Sequence, residues 1–441
     1  MRPILKEKKL TTENYKGTRD FFPPDMKIRN YLFSVMKRVV KSYGYEEYDG
    51  PMIESLDLYR AKTGEEIVGK QIYNFIDKGG REVAIRPEMT PTVARMVASK
   101  LRELPRPIRW FSIPNLWRYE QPGHGRLREH WQLNVDLFGI NHHYAELEIL
   151  SLACDILFAF GAPRDSFRVK VSHRSLLDEF FKDGLQLRPE QSHEVSKILD
   201  KKNKITNDEY VSLVNKTIPE NPNAIEKINQ FLASNISDLP NIIGVSQGTI
   251  SALTSLFSDL KSVGLGDMVH FDPSVVRGFD YYTGFIFEIF DTSPTNKRSL
   301  YGGGRYDNLI GLFSNEELSG TGFGLGDVTL LNFLQTHNLL PNVSNQNIVY
   351  IPFLENVNFL HGQTLAAKLR KSGISVDLAL VSQKMGKQLS YAEKKGYRWI
   401  LLQGEEEITK NTVTVKDMLN RSQEEYTFDQ AIEKISKELN K

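Results

Sequence analysis

From residue 127 to residue 137, residues of a mainly apolar set alternate with residues of a polar set, and no other pattern in the sequence limits the possible folds as strongly. One predicted face is mainly apolar and carries Leu127, Glu129, Trp131, Leu133, Val135 and Leu137. The other face is polar throughout and carries Arg128, His130, Gln132, Asn134 and Asp136. A period of two predicts a β-strand. Alternation alone favours a solvated polar face, and the floor of a polar site is the alternative.

The segment that leads into this strand, "RYEQPGHGRLREHWQ" at residues 118–132, is unusually basic. Arg118 and Glu120 precede its Gly-Pro-His loop, and their even numbers match those of the residues on the polar face. Arg126 and Arg128 follow the loop. Guanidinium groups bind phosphate oxygens bidentately and keep their charge. The hairpin therefore predicts a site for a nucleoside triphosphate.

Composition excludes several classes of protein. The 56 Lys and Arg nearly balance the 55 Asp and Glu, so any binding of nucleic acid must depend on local patches. Cys154 is the single cysteine, which excludes an intramolecular disulfide and a Cys-rich zinc site, and its apolar surroundings predict an inert core thiol. The sequence has neither a signal-peptide core nor an apolar run of about 18 residues, which indicates a cytoplasmic protein.

Periodicity along the chain predicts the main elements. Apolar residues at three-four spacing predict a helix from Lys27 to Tyr43, and "QIYNFIDKGGREVAIRPE" predicts a hairpin that turns at Gly79 and Gly80. The stretch from Arg164 to Gly264 is polar, helical in pattern and free of strand alternation, which predicts a helical insertion.

Beyond a linker at residues 341–347, strands alternate with helices, which predicts a small α/β domain with a largely parallel sheet. We therefore predict a main domain in two parts, residues 1–163 and 265–338. The insertion at residues 164–264 lies between these parts, and a C-terminal domain covers residues 347–441.

Two further clusters are ambiguous when taken alone. "VVRGFDYYTG" at residues 275–284 is more typical of a tyrosine-rich strand than of a site. Gly322, Gly324 and Gly326 form a G-x-G-x-G run, but the dinucleotide fingerprint needs an acidic residue about twenty positions later. The next acidic residue after Asp327 is Glu355, so a Rossmann site is not expected.

Taken together, the segments resemble the class II aminoacyl-tRNA synthetases, and among them the histidyl-tRNA synthetase family. The matches occur in order: "KGTRDFFPPD", the segment that ends at Pro51, the basic hairpin, "RGFDYYTG" and "GGGRYD". The resemblance implies an α+β fold, with an antiparallel-sheet catalytic domain, a helical insertion and a C-terminal α/β anticodon-binding domain. It also implies that histidine attacks the α-phosphate of ATP and that the histidyl group then passes to tRNA.

The resemblance assigns the hairpin to ATP. Arg118 would hold the α-phosphate and the histidine carboxylate, and Glu120 would contact the adenine side. Arg126 would reach the γ-phosphate, with Arg128 in support. His130 takes the place of an aromatic residue on which adenine stacks.

The resemblance assigns a second set of residues to histidine. Glu88 would hold the α-amino group, with Thr90 beside it, and Arg277 would face the α-phosphate opposite Arg118. The side chains implied to line the amino-acid pocket are Gln132, Asp136, Tyr282 and Tyr306. Catalysis would consist mainly of positioning and electrostatics, without a protein nucleophile.

Thr329 departs from the family pattern, which usually has an arginine there that covers the adenine and contacts the γ-phosphate. We expect Mg²⁺ to carry more of the triphosphate charge instead, aided by Arg305. The first helix and its proline-ended strand match the dimer interface of the class, so we expect a homodimer. We also expect Lys384 and Lys387 to lie near the anticodon arm of the tRNA.

A catalytically inactive paralogue that senses histidine, such as the regulatory subunit of ATP phosphoribosyltransferase, is the main alternative. Such paralogues typically lack the C-terminal domain and lose the arginines. This chain keeps Arg118, Arg126, Arg128 and Arg277, and about a hundred residues follow the catalytic part. Thr329 is the feature that favours the alternative. A tRNA-binding module without chemistry would not need the row of Gln132, Asp136 and Tyr282.

Overall fold

The computed structural model describes residues 10–61, 67–202, 205–242, 247–275, 281–296, 298–342 and 345–439. The chain divides into two compact units, Met1–Leu340 and Pro341–Lys441. Arg277, predicted to face the α-phosphate, lies outside the described residues.

The strands of the first unit are β1 (Glu46–Glu47), β2 (Ile53–Ser55), β3 (Tyr73–Ile76), β4 (Glu82–Ile85), β5 (Ile108–Ser112), β6 (Asn115–Trp117), β7 (Glu129–Phe138), β8 (Phe167–His173), β9 (Val269–Phe271), β10 (Phe285–Asp291), β11 (Ser299–Arg305) and β12 (Gly320–Gly326). Its α-helices are α1 (Pro23–Ser42), α2 (Leu56–Arg60), α3 (Thr90–Ser99), α4 (Tyr144–Ala159), α5 (Arg174–Glu179), α6 (Pro189–Lys201), α7 (Asn207–Thr217), α8 (Ala224–Leu232), α9 (Leu239–Ile242), α10 (Gln247–Ser262) and α11 (Asp327–Thr336).

A nine-stranded sheet forms the centre of the first unit, in the order β1-β5-β7-β12-β11-β10-β8-β9, with β6 paired to β7. Its pairs are antiparallel except at the two edges, where β1 runs parallel to β5 and β9 parallel to β8. The predicted antiparallel α+β fold is therefore confirmed. Strand β7 lies inside this sheet, so neighbouring strands pair with both of its edges.

The two predicted faces of β7 differ in what they contact rather than in burial, since residues 133–138 are all buried. Leu133, Val135 and Leu137 join the main hydrophobic core, to which α1 and α4 also contribute. Cys154 of α4 lies in this core, as predicted, and burial raises the pKa of its thiol to about 12. The helix predicted from Lys27 to Tyr43 corresponds to α1, and its apolar stripe packs within the chain itself.

The expectation that residues 164–264 contain no strand is wrong at their start. Strand β8 alternates Phe167, Val169 and Val171, all buried, with more polar residues, and it pairs with β10 in the central sheet. The run is short and lies next to a long polar helical stretch, which hides its period of two. From α6 to α10 the described elements are helical, as expected, and the predicted domain limits remain a prediction.

The second unit contains strands β13 (Ile348–Ile351), β14 (Ser375–Leu378), β15 (Trp399–Leu402), β16 (Thr412–Asp417) and β17 (Ser422–Thr427). Its helices are α12 (Phe359–Lys371), α13 (Met385–Lys395), α14 (Glu405–Lys410) and α15 (Phe428–Leu439). The sheet order is β14-β13-β15-β16-β17, with two parallel pairs followed by two antiparallel pairs. The sheet is thus mixed rather than largely parallel, because β16 and β17 form a hairpin that the sequence analysis did not identify.

A separate three-stranded sheet, β2-β4-β3, contains the predicted hairpin, which turns at Gly80 with a φ of 78°. Side chains of Met52, Ile53, Phe75 and Ile76 are exposed on or beside this small sheet. None of the described helices is long and apolar enough to cross a membrane.

Candidate active site

A polar cavity of about 550 Å³, open to solvent, lies on the polar face of β7, beside β11 and β12. Its lining residues are Glu88, Thr90, Arg118, Gln132, Asn134, Asp136, Tyr281, Tyr282, Gly302, Tyr306, Gly322, Phe323 and Gly324. The structure therefore gathers seven of the predicted site residues at one cavity. Asn134 and Tyr281 are two polar residues of the lining that the sequence analysis did not assign to the site.

Glycines of β12 make room for the cavity. A Cβ atom at Gly324 would lie 2.5 Å from Nε2 of Gln132, and one at Gly322 would lie 2.6 Å from the hydroxyl oxygen of Tyr306. The G-x-G-x-G run thus lies on a strand, where the missing side chains leave space for the polar groups of β7. This local geometry explains the glycines without a dinucleotide turn.

Asp136 and Tyr306 form a buried pair in the cavity. The Tyr306 hydroxyl donates a hydrogen bond to Oδ1 of Asp136, and no described residue bonds the buried Oδ2. Burial raises the pKa of Asp136 to about 7, although the nearby hydroxyls of Tyr306 and Tyr48 oppose this shift. Burial and the adjacent Asp136 also raise the pKa of Tyr306 well above its ordinary value. The pair can accept a hydrogen bond from an N–H group that enters the cavity.

Glu88 provides a second buried carboxylate in the cavity. Its side chain accepts a hydrogen bond of 3.1 Å from the Tyr281 hydroxyl, and the residue is 3% exposed. The resemblance named Tyr282 and not Tyr281 among the residues that line the pocket. Tyr281 and Tyr282 precede β10, however, and both line the cavity.

Arg118 is oriented toward the cavity by backbone groups. Its Nε donates to the carbonyl oxygen of Pro87 at 2.9 Å, and its backbone N–H donates to the carbonyl of Arg128 at 2.8 Å. The first contact links Arg118 to the residue before Glu88, so a cation and an anion line the cavity together. Such an arrangement can bind the carboxylate and the ammonium group of a free amino acid.

The hairpin loop carries an ion pair outside the cavity lining. Glu120 lies 3.3 Å from Nε of Arg126, and their side chains are 13% and 53% exposed, respectively. Backbone bonds between Gly123 and Arg126 close the turn, and Gly125 has a φ of 74°. The loop therefore presents Arg126 to solvent.

Arg128 is bonded to protein groups and does not line the cavity. Its guanidinium donates to the carbonyl of Glu120 at 3.1 Å and to the Tyr15 hydroxyl at 2.8 Å, and it lies 3.9 Å from the ring centre of Tyr119. A Cβ at Gly17 would lie 2.7 Å from the Arg128 side chain. Arg128 thus holds the hairpin against the N-terminal segment, and any support that it gives a nucleotide is indirect.

His130 lies on the hairpin side of Gln132 and is also absent from the cavity lining. Burial lowers its pKa to about 3, and the cations of Arg118 and Arg19 contribute to the shift. Its Nδ1 is buried, and no described residue bonds it. The ring is therefore neutral at physiological pH, which suits an aromatic surface for a base.

Thr329 has internal partners at the place of the usual arginine. Its hydroxyl donates to the carbonyl of Leu300 at 2.7 Å, and it lies 3.1 Å from the carbonyl of Gly326. A Cβ at Gly125 would lie 3.6 Å from Cγ2 of Thr329, so the hairpin loop reaches this first turn of α11.

The expectation that Arg305 helps to balance the triphosphate is wrong. Its guanidinium forms a bidentate ion pair with Glu146 of α4, at 2.7 and 2.9 Å, and also bonds Asp307 and the carbonyls of Ile140 and His142. Arg305 is 7% exposed. Sequence could not reveal this, because Glu146 is 159 residues away along the chain.

Metal ligands are sparse in the part of the chain that the structure describes. No group of three or more His, Cys, Asp and Glu side chains there could hold a metal ion. Mg²⁺ in nucleotide sites commonly binds through phosphate oxygens, water and one or two carboxylates. The described residues therefore form no metal site from protein ligands alone, and they are compatible with a magnesium ion that enters with a triphosphate.

Two family models match this chain, one in each unit. The family model described as "Histidyl-tRNA synthetase" matches residues 17–329, and the model described as "Anticodon binding domain" matches residues 349–438. A histidine–tRNA ligase of Leptospira biflexa is 74% identical over 437 residues, covering 99% of this chain and 100% of that protein. One from Pyrococcus furiosus is 35% identical, covering 96% and 98%, respectively.

A solved structure supports the same fold. The crystal structure of histidyl-tRNA synthetase from Nostoc sp. PCC 7120 has a TM-score of 0.81 at 22% identity and covers 98% of this chain and 100% of that one. The match of the first family model to most of the first unit, together with the two full-length relatives, confirms the resemblance drawn from the sequence segments: the chain belongs to the histidyl-tRNA synthetase family.

Proposed function

We infer that this chain attaches histidine to its tRNA, and we propose that it does so in two steps, through a histidyl-adenylate. The observation that carries the proposal is the cavity in which Arg118 lies near two buried carboxylates, Glu88 and Asp136. A free amino acid with an imidazole side chain complements this set of charges. The high identity to full-length histidine–tRNA ligases supports the overall reaction.

The amino-acid end of the cavity accounts for specificity. Asp136, oriented by Tyr306, accepts a hydrogen bond from one imidazole nitrogen, and Gln132 and Tyr282 satisfy the remaining polar atoms. Glu88 binds the α-amino group beside Thr90, and Arg118 binds the carboxylate. An amino acid without the two ring nitrogens would leave buried polar groups unpaired, which is a strong basis for rejection.

The hairpin accounts for ATP binding. Arg118 contacts the α-phosphate, Arg126 exchanges its partner Glu120 for the γ-phosphate, and the neutral ring of His130 stacks on adenine. Glu120, released from Arg126, then contacts the adenine. Mg²⁺ bound to the triphosphate supplies charge neutralisation, and the chain's own arginines orient the α-phosphate.

The histidine carboxylate attacks the α-phosphorus, and pyrophosphate leaves. Arg118 stabilises the charge that develops on the phosphorus oxygens, and we assign the same role to Arg277 from the sequence. Because the substrate carboxylate is already a nucleophile, no protein side chain needs to be activated. The second step transfers the histidyl group to the tRNA 3′ end.

The sensor alternative predicts histidine binding without transfer. Inactive paralogues typically lose the arginines and the C-terminal domain. This chain keeps the hairpin arginines, and its residues 349–438 match the anticodon-binding family model. The test is aminoacylation of a histidine tRNA transcript with labelled histidine, with lysine tRNA as the control. We expect charging of the histidine tRNA alone. Histidine binding by calorimetry without any charging would favour the sensor instead.

We propose that the protein is a cytoplasmic homodimer. The apolar stripe of α1 is used inside the chain, but the exposed side chains of Met52, Ile53, Phe75 and Ile76 leave an apolar surface at the small sheet. Sedimentation at micromolar concentration should give the dimer mass. A monomer at that concentration contradicts the proposal.

We propose that Lys384 and Lys387 contact the tRNA near its anticodon. Both are exposed and lie at the start of α13, and the N-terminus of a helix attracts phosphate. Reversal of both charges to Glu should raise the Michaelis constant for tRNA and weaken its salt dependence. Unchanged values would show that this helix end does not contact tRNA.

A further inference from the structure

Arg19, in the N-terminal segment, reaches the first turn of α11. Its Nη2 lies 2.7 Å from Oδ2 of Asp327, which begins that helix. The side chains of Arg19 and Asp327 are 22% and 4% exposed, respectively. A guanidinium group from a distant part of the sequence therefore contacts a residue that lies two positions before Thr329 in the chain.

Asp327 also ties this turn to the site. Its Oδ1 accepts a hydrogen bond of 3.0 Å from the backbone N–H of Trp131, between His130 and Gln132. Arg19, Asp327 and β7 thus form one connected group at the end of the sheet that carries the hairpin.

Arg19 keeps hydrogen-bonding capacity after this contact. Its Nε is buried, and no described residue accepts a bond from it. Its charge also acts on His130, since Arg118 and Arg19 both contribute to the lowered pKa of that ring. The proposed adenine surface therefore lies within the influence of two guanidinium groups, one of which lines the amino-acid cavity.

Arg29 is the nearest alternative source of positive charge. Its guanidinium lies 4.6 Å from the ring centre of Phe21 and 4.6 Å from that of Trp131, and Arg19 lies 4.9 Å from the same Phe21 ring. Arg29 packs against aromatic rings, whereas Arg19 reaches the carboxylate of the α11 turn. Of the two, Arg19 is the one placed to act where Thr329 leaves no charge.

We propose that Arg19 binds ATP and supplies, from the N-terminal segment, the guanidinium group that position 329 lacks. This inference rests on the proposed function and identifies a further residue for ATP binding. The competing explanation is that Arg19 is only the counterion of the buried Asp327. Removal of Arg19 alone would then act through an unpaired buried carboxylate.

The test measures Michaelis constants in histidine-dependent ATP–pyrophosphate exchange, and it separates the two explanations with paired variants. In Arg19→Ala with Asp327→Asn, no buried charge is left unpaired, so a structural role predicts a normal constant for ATP. Our proposal predicts that the constant for ATP rises about tenfold, since a charge-assisted contact is lost, while that for histidine changes less than about twofold.

Addition of Thr329→Arg to this double variant should lower the Michaelis constant for ATP toward the wild-type value. Arg29→Ala, the matched control, should leave both constants unchanged. A wild-type constant for ATP in the double variant, or no recovery with Thr329→Arg, overturns the proposal. Absence of exchange in the wild type and in Arg29→Ala would instead contradict the proposed function itself.

Discussion

The amino-acid end and the nucleotide end of the site are constructed in different ways. At the amino-acid end, Asp136, Tyr306 and Glu88 are each at most 3% exposed and are hydrogen-bonded to other protein groups or to one another. At the nucleotide end, Arg126 is about half exposed and pairs with Glu120. The described groups of the first end are held in place before a ligand binds, whereas the second end must exchange partners.

The difference reflects what each end must recognise. An imidazole ring differs from other side chains by two polar atoms, so rejection of the others requires buried groups with fixed positions. A triphosphate is recognised mainly by charge, which long arginine side chains on a loop can provide. Specificity therefore depends on the central sheet, and charge neutralisation depends on the hairpin and the N-terminal segment.

The largest expected effect tests the amino-acid end. Asp136→Asn keeps the shape of the side chain but replaces one acceptor oxygen with a donor, so it should lower kcat/KM for histidine about 1000-fold in pyrophosphate exchange. The Michaelis constant for ATP serves as the internal control and should stay within about threefold. A loss of less than tenfold in kcat/KM would show that Asp136 is not the specificity residue.

A smaller effect is expected at the hairpin. Arg126→Ala should lower kcat/KM for ATP about 100-fold, since one preorganised donor is lost, and should leave histidine binding by calorimetry unchanged. Arg81→Ala is a matched control, because Arg81 is an exposed arginine next to the β3–β4 turn that pairs with Asp77 at 2.8 Å. Equal effects of the two substitutions would contradict a specific role for Arg126.

The glycines of β12 give a third test. Gly324→Ala should raise the Michaelis constant for histidine about tenfold, because the new methyl group displaces the Gln132 amide. Gly326→Ala on the same strand is the control, since its Cβ would lie 3.6 Å from the nearest atom, Oγ1 of Thr329, at an ordinary contact distance. If Gly324→Ala leaves histidine binding intact, the space beside Gln132 is not used.

The smallest effect concerns stability and pH. Because burial raises the pKa of Asp136 to about 7, the unfolded chain loses this proton at lower pH than the native chain does. The native state is therefore favoured at low pH, and this contribution is lost as pH rises through the native pKa.

We compare the wild type with Asp136→Asn, both without histidine. Between about pH 4 and 7, the unfolding free energy of the wild type should fall relative to that of the variant by at most about 1.4 kcal/mol per pH unit. Above that range the difference should stay constant. Urea unfolding at pH 5, 6, 7 and 8 measures the difference between the two proteins. A difference that does not change with pH would contradict the raised pKa.

Local patterns in the sequence predicted the features that depend only on residues close together in the chain, such as strand faces and turns. The alternation of β7 placed Gln132 and Asp136 on one face, and the glycine pair located the β3–β4 turn. The resemblance added Glu88 and Tyr306, which are distant in sequence from β7 but lie at the same cavity.

Contacts between distant residues could not be predicted in the same way. Arg305 is neutralised by Glu146, and Arg19 pairs with Asp327, 308 residues later. The resemblance named Tyr282 alone, and the contact of Tyr281 with Glu88, 193 residues earlier in the chain, was not predicted. In each case the partner in the folded structure, rather than the local sequence pattern, determines which arginine or tyrosine can contact a ligand.

The most direct test of the whole account is ATP–pyrophosphate exchange by the purified wild-type protein, with histidine, without it, and with each other standard amino acid. We predict exchange with histidine alone, since the buried amino-acid end selects the imidazole and the arginines of the hairpin and the N-terminal segment together bind ATP despite Thr329. Exchange with other amino acids, or no exchange although histidine binds by calorimetry, would contradict the account.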